Sequence, residues 1–271
     1  MKKNVLCILT IMVLLTVTSL ANSQSAKILL PDGNGAPLAT VTIGDKVFKA
    51  NEKGEVEITF DSEKKALLKW LDLAVEVPIE ATMKFPNKVL CGPPYDALDW
   101  VVNGPDTWEF DKKIILNPGG QNNESQIFLD EDFSDFVIRS KFIAEKPSQW
   151  FYVRFFMRAF EEGFNGYGIS FAASPSDQTF FTRFEGSWEK YTKVIDPIFV
   201  YSAIPEGIPV EFVGFLKNDH ILIYLRVEGE KEYKKIVDAV DNSEGAFYDG
   251  GISILNSFCD LEISELGVFK Y

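Results

Sequence analysis

Apolar and polar residues alternate in short runs along most of the chain. Val56, Ile58 and Phe60 alternate with Glu55, Glu57 and Thr59, the period-two pattern of a strand with one buried and one wet face. The same pattern predicts brief strands over 27–30, 38–43, 47–49, 66–70 and 73–79, parted by turn clusters such as Pro31-Asp32-Gly33-Asn34-Gly35 and Asn51-Glu52-Lys53-Gly54. Longer strands follow over 107–110, 114–116, 126–129, 136–142, 151–160, 167–172, 179–185, 210–216, 221–227, 251–255 and 260–269, with Gly, Asn, Asp or Pro between them. No segment sustains a 3.6-residue period; 230–240 stays open between a short helix and a hairpin tip. The expected fold class is therefore all-β, a small sandwich followed by a larger two-sheet sandwich or jelly roll.

One apolar run breaks the strand pattern. Lys2 and Lys3 precede Val5 to Leu20, and Ala21-Asn22-Ser23-Gln24 supplies small residues for cleavage. This reads as a secretory leader over 1–23, slightly short for a span of about 20 residues. The rival is an uncleaved anchor. The expected location is secreted, periplasmic or cell-envelope. A second break is Pro86 to Pro94, rich in Pro and Gly, which predicts a stiff connection over 87–96 between a module at 26–86 and a domain at 97–271.

Composition narrows the chemistry. The 271 residues carry 27 Lys+Arg against 40 Asp+Glu, a net charge of −13, which becomes −15 once Lys2 and Lys3 leave. Such an acidic chain disfavours nucleic acid as a partner. One histidine, His220, sits in the turn Lys217-Asn218-Asp219-His220, so a Ser-His-Asp centre or a His-rich metal site has little to work with. Cys91 and Cys259 follow the leader; an exported pair forms either a bridge or two buried free thiols. Asp249-Gly250-Gly251 offers oxygen ligands to calcium or simply a hairpin turn, and Asn123-Glu124-Ser125 is a glycosylation sequon.

Two resemblances are carried by particular stretches. "DGNGAPLATVTIGDKVFKANEKGEVEITF" is similar to the opening of carboxypeptidase-regulatory-like, immunoglobulin-type β-sandwich modules, which implies a stabilising or presenting role. "DWVVNGPDTWEFDKKIILNPGG", "DFSDFVIRSKF", "YVRFFMRAFEEGFNGYGISF", "PVEFVGFLKNDHILIYL" and "GGISILNSFCDLEISELGVF" together resemble the concanavalin A-like lectin/glucanase superfamily, in its 3-keto-disaccharide hydrolase or laminarinase-like branch. Laminarinase-type enzymes of that superfamily carry alternating catalytic carboxylates on one strand. Glu55/Glu57 and Asp260/Glu262 alternate here, the first in the wrong module and the second without a third member. The strand Tyr167-Gly168-Ile169-Ser170-Phe171 also lacks the Glu expected of the keto-sugar branch.

Strand alternation proposes a ligand face. On 151–160, Val153, Phe155, Met157 and Ala159 form one apolar face, and Tyr152, Arg154, Phe156, Arg158 and Phe160 the other. Unpaired guanidinium is costly to bury, which predicts that the second face is open. Small residues Gly168, Ser170 and Ala172 leave room on the neighbouring strand, and Phe181, Arg183 and Glu185 share a face on the next. The predicted groove is thus Tyr152, Arg154, Phe156, Arg158, Ser170, Phe181, Arg183 and Glu185, with Trp150 and Trp188 as rim platforms. Rings stack on sugar C–H faces and guanidinium donates to hydroxyls or carboxylates. The competing expectation is an ordinary salt-bridged sheet face.

The expected function is an exported carbohydrate-binding protein with an oligo- or polysaccharide partner. No catalytic residue, no cofactor other than calcium and no membrane span after leader cleavage is expected. One alternative is a glycoside or keto-sugar hydrolase or lyase working through Glu161, Glu162, Asp177 or Glu185. Another is a structural envelope protein whose own side chains fill the groove.

Overall fold

A computed structural model describes residues 22–104, 107–117, 124–145, 152–160, 165–172, 179–186, 198–201 and 204–271. Seven strands come first: β1 (Asn22–Leu29), β2 (Thr40–Ile43), β3 (Lys46–Lys49), β4 (Glu55–Phe60), β5 (Lys65–Trp70), β6 (Leu73–Pro78) and β7 (Thr82–Lys84). They form a three-stranded sheet, β4-β1-β7, and a four-stranded sheet, β3-β2-β5-β6. Alternation decides the inward side: β5 buries Ala66, Leu68 and Trp70 and exposes Lys65, Leu67 and Lys69. Asn22 and Ser23, expected at the end of the leader, lie in β1 and pair with Phe60 and Thr59.

The remaining strands are β8 (Val89–Cys91), β9 (Val101–Asn103), β10 (Thr107–Phe110), β11 (Ile114–Asn117), β12 (Glu124–Leu129), β13 (Phe136–Glu145), β14 (Tyr152–Ala159), β15 (Gly166–Ala172), β16 (Thr179–Phe184), β17 (Ile198–Tyr201), β18 (Val210–Lys217), β19 (His220–Val227), β20 (Lys234–Val240), β21 (Gly251–Ser257) and β22 (Asp260–Lys270). The back sheet runs β10-β11-β22-β13-β18-β19-β20, with β8 added against β22. The front sheet runs β17-β16-β15-β14-β21-β12-β9. The fold is all-β, and this pair of sheets is a jelly-roll-type sandwich. The only helical element among the described residues is a 3-10 turn at Ala97–Asp99. No helix among them is long and apolar enough to cross a membrane. Part of the expected stiff connection, 89–91, is strand.

Between the front and back sheets lies a core rich in phenylalanine. Phe142, Phe155, Phe171 and Phe212 form a connected ring cluster with centroids 4.5–6.1 Å apart. Tilted and edge contacts of this kind add to plain area burial.

The outer side of the back sheet is also covered. Val137, Val213, Phe215 and Phe269 belong to the same apolar cluster as Val41, Leu68 and Trp70 of the first two sheets and Phe85, just after β7. Register explains the match: Val137 pairs with Phe215 and Phe269, so the three share one face. Tyr224 Oη donates to Asp72 at 2.6 Å, and the Trp70 ring meets Tyr233 edge-on at 6.3 Å. At one end of this junction an ion ladder alternates sign: Glu52, Arg226, Glu211, Arg139 and Glu265. Arg226 Nη2 and Arg139 Nε both donate to Glu211, at 2.8 and 2.6 Å.

The two cysteines are free thiols at opposite ends of β22, which corrects the bridge considered from sequence. Cys91 lies opposite Val268, whereas Cys259 immediately precedes Asp260. The strand between them spans about 26 Å at about 3.3 Å per residue, and a disulfide needs Cα atoms within about 7 Å. Burial raises the Cys91 thiol to about 12, with Asp99 and Glu131 adding to it. The Cys259 Sγ–H instead donates to Asn256 Oδ1 at 2.8 Å, closing the turn before β22.

Candidate functional site

The front sheet has two chemically different sides. Its inner side carries Val153, Phe155 and Met157 of β14 and Tyr167, Ile169 and Phe171 of β15, all buried, as the alternation predicts. On its outer side, Arg154 is opposite Ser170 and Leu255, and Phe156 is opposite Gly168 and Ser253. Gln126 and Phe128 continue that side on β12, and Phe180, Thr182 and Phe184 on β16. Gln126, Arg154, Ser170, Thr182 and Ser253 give this surface a polar stripe that no apolar core would have.

Arg154 occupies the middle of the stripe. Its Nε donates to Ser170 Oγ, and its guanidinium lies 5.9, 5.8 and 5.1 Å from the Tyr152, Phe156 and Phe184 ring centroids. Beside it, Gln126 Nε2 donates to Ser253 Oγ at 2.5 Å. Gly168 lets the rings approach, since a Cβ there would sit 2.6 Å from Phe184 and 3.2 Å from Phe156. Burial pushes Arg154 down to about 9, offset in part by Glu124 and Tyr152.

The expectation that this side stands open is corrected. Arg154 is 1% exposed, and Phe156 and Ser170 are 0% exposed; Tyr152, at the strand end, is half-buried. Surrounding rings and a serine hydroxyl give the guanidinium the partners that the sequence argument assumed it lacked.

Four predicted groove residues lie elsewhere. A bulge between Met157 and Ala159 turns Arg158 to φ +51° and breaks the alternation. Its guanidinium donates to the carbonyls of Ser134, Asn218 and Phe247 at 2.6–3.1 Å, tying three loops together. Phe181 pairs with Ile169 and Arg183 with Tyr167, so β16 presents both on the inner side. There Phe181 joins the core. Arg183 Nη1 donates to Asp241 Oδ2 at 2.8 Å and to Ser243 Oγ at 3.0 Å, while Tyr167 Oη donates to the same Asp241 oxygen at 2.8 Å. Burial alone would raise the Asp241 carboxyl, but bonds from Ser243, Tyr167 and Arg183 hold it below its usual value. Glu185 Oε1 pairs with Arg183 Nη2 at 2.6 Å.

Sequence reasoning missed Gln126, Phe128, Phe184 and Ser253, which complete the outer stripe from strands far away in the chain. Their signal is register, which no single strand displays. Trp150, Trp188, Glu161, Glu162, Asp177 and Asn123 lie outside the described residues. His220 closes the β18–β19 hairpin, its Nε2 2.7 Å from Asp238 Oδ1. At Asp249-Gly250-Gly251, both glycines answer to close packing: a Cβ on Gly251 would lie 2.1 Å from Leu129 O, and Gly250 adopts φ +126°. Among the described residues no group of three or more His, Cys, Asp or Glu is placed to hold a metal ion.

No protein-family model and no curated protein sequence matches the chain. Several solved structures are similar in fold. The VIP36 exoplasmic/lumenal domain, in a form bound to Ca2+ and Man3GlcNAc, is 13% identical, with TM-score 0.49 over 66% of this chain and 87% of that one. A galectin-like-fold protein from Bacillus subtilis is 13% identical, with TM-score 0.49 over 67% and 96%. The carbohydrate-binding module CBM66 from Bacillus subtilis is 18% identical, with TM-score 0.44 over 64% and 92%.

Proposed function

We propose that this chain is an exported carbohydrate-binding protein that takes an oligo- or polysaccharide at the end of the front sheet's outer side where Tyr152 and Phe180 are half-buried, next to the buried Arg154. The observation that carries the reading is the stripe itself: guanidinium, amide and hydroxyl groups interleaved with Tyr152, Phe156 and Phe184 on the outer side of the sheet. Hydroxyl-rich ligands need that mixture of fixed donors and ring faces. The leader-like Lys2-Lys3 and Val5–Leu20 segment supports export.

Glycan-array binding and affinity electrophoresis in polysaccharide gels test the proposal. Retention on at least one neutral or acidic glycan is expected, weakened in Tyr152→Ala and in Arg154→Gln. Absence of retention on all of them would sink it. A structural envelope role is the second reading, favoured by the burial of Arg154 and by the use of Arg158 and Arg183 as internal ties. It predicts that no glycan binds. The hydrolase reading rests on Glu185, whose Oε1 is held by Arg183; turnover of a 3-keto-glucoside that disappears in Glu185→Gln would establish it.

A further inference from the structure

A cavity of about 660 Å3 opens where the first two sheets meet the back sheet, remote from the front-sheet stripe. Its size falls within the roughly 300–1,000 Å3 of small-molecule sites. Yet among its described lining residues there is no aromatic ring, so whatever enters is recognised by charge and hydrogen bonds rather than stacking.

The charges there are unevenly spent. Glu211, Glu265 and Glu52 are engaged by Arg139 and Arg226 in the ion ladder, Glu228 pairs with Lys141 at 3.2 Å, and Glu55, opposite Lys27 in register, accepts from Asn51 Nδ2 at 2.9 Å. Lys27 and Lys53 line the same cavity with no ion-pair partner among the described residues. Arg226, whose side chain is 7% exposed, spends Nη1 on Glu52 and Nη2 on Glu211, and its Nε is buried out of reach of the cavity. The carboxylates of Glu52 and Glu228 are 54% and 57% exposed and retain acceptor capacity towards the opening. Free cationic donors beside partly used acceptors match a ligand that carries both a carboxylate and hydroxyl groups.

We infer that this junction cavity binds a small hydroxylated carboxylate of the sugar-acid class. Lys27 and Lys53 receive the carboxylate, and Glu52 and Glu228 accept from the hydroxyls. The inference is independent of the front-sheet reading.

Calorimetric titration of the purified protein with glucuronate, glucose and acetate tests it. Glucuronate is expected to bind at least about ten-fold more tightly than either control, because glucose lacks the charge and acetate the hydroxyls. Replacing both lysines (Lys27→Gln with Lys53→Gln) should weaken glucuronate by about ten-fold or more. Lys49→Gln with Lys69→Gln, on a different face, should leave it unchanged. The inference is overturned if none of the three probes binds, if a control binds as well as glucuronate, or if the Lys27/Lys53 double variant binds normally. It is equally overturned if Arg154→Gln abolishes the signal, since the ligand then sits on the front sheet.

Discussion

Arg183 and Arg154 show two ways in which one side chain meets the cost of burial. Arg183 is paired with the carboxylate of Asp241, which is 2% exposed. Removing the cation strands that charge, so Arg183→Met is expected to cost about 3–5 kcal/mol at pH 7. Urea unfolding of the two proteins measures it. The sign with pH follows from the Asp241 carboxyl being held below its usual value: its contribution is complete above the unfolded pKa of about 4 and fades as pH falls below it. The gap between wild type and variant should therefore narrow in acid. Arg154 relies on rings and Ser170 instead, and Gly168 provides the space for those rings. Gly168→Ala would put a Cβ 2.6 Å from Phe184. A loss of about 1–3 kcal/mol is expected from this overpacking, read as a lowered Tm.

At the scale of the strand, the sequence displays one kind of information and hides another. The inner side of β14 and β15 was legible, because Val153, Phe155, Met157, Tyr167, Ile169 and Phe171 recur at every second position, interrupted by Arg154, Arg158, Gly168 and Ser170. β16, Thr179-Phe180-Phe181-Thr182-Arg183-Phe184, carries rings on both faces, and which face belongs to which side of the sheet depends on Ile169 pairing with Phe181. Register is a property of two strands, and a slip of one residue exchanges the faces. The bulge at Arg158 is hidden for the same reason. β22 supplies a test at this scale. It separates Cys91 from Cys259 along its whole length, so melting curves with and without reductant should superimpose. A drop in Tm on adding dithiothreitol would show that the cysteines are bridged.

Over the whole molecule, the first two sheets and the back sheet share one apolar cluster and one ion ladder. A junction of that kind couples their stabilities, and a single cooperative unfolding transition is expected by circular dichroism and by intrinsic fluorescence. Two resolved transitions would refute the coupling. Phe215→Ala should lower that one transition, at a cost of about 3–5 kcal/mol. Glu211 is the keystone of the ladder. Burial would raise its carboxyl, but Arg139 and Arg226 hold it below the ordinary value. Nothing in the sequence announces this arrangement: Glu52, Arg139, Glu211, Arg226 and Glu265 lie far apart along the chain.

The shared cluster also bears on the order in which the protein can acquire its structure. A ribosome releases β1 to β7 first, yet the apolar side that buries Val41, Leu68 and Trp70 is completed by Val213 and Phe269, which are synthesised much later. Until β22 leaves the exit tunnel, the nascent chain carries a half-covered hydrophobic surface, which is what holdase chaperones bind. Truncation just before β22 should therefore do more than remove one strand: it should leave the earliest part of the chain waiting for a lid that never arrives.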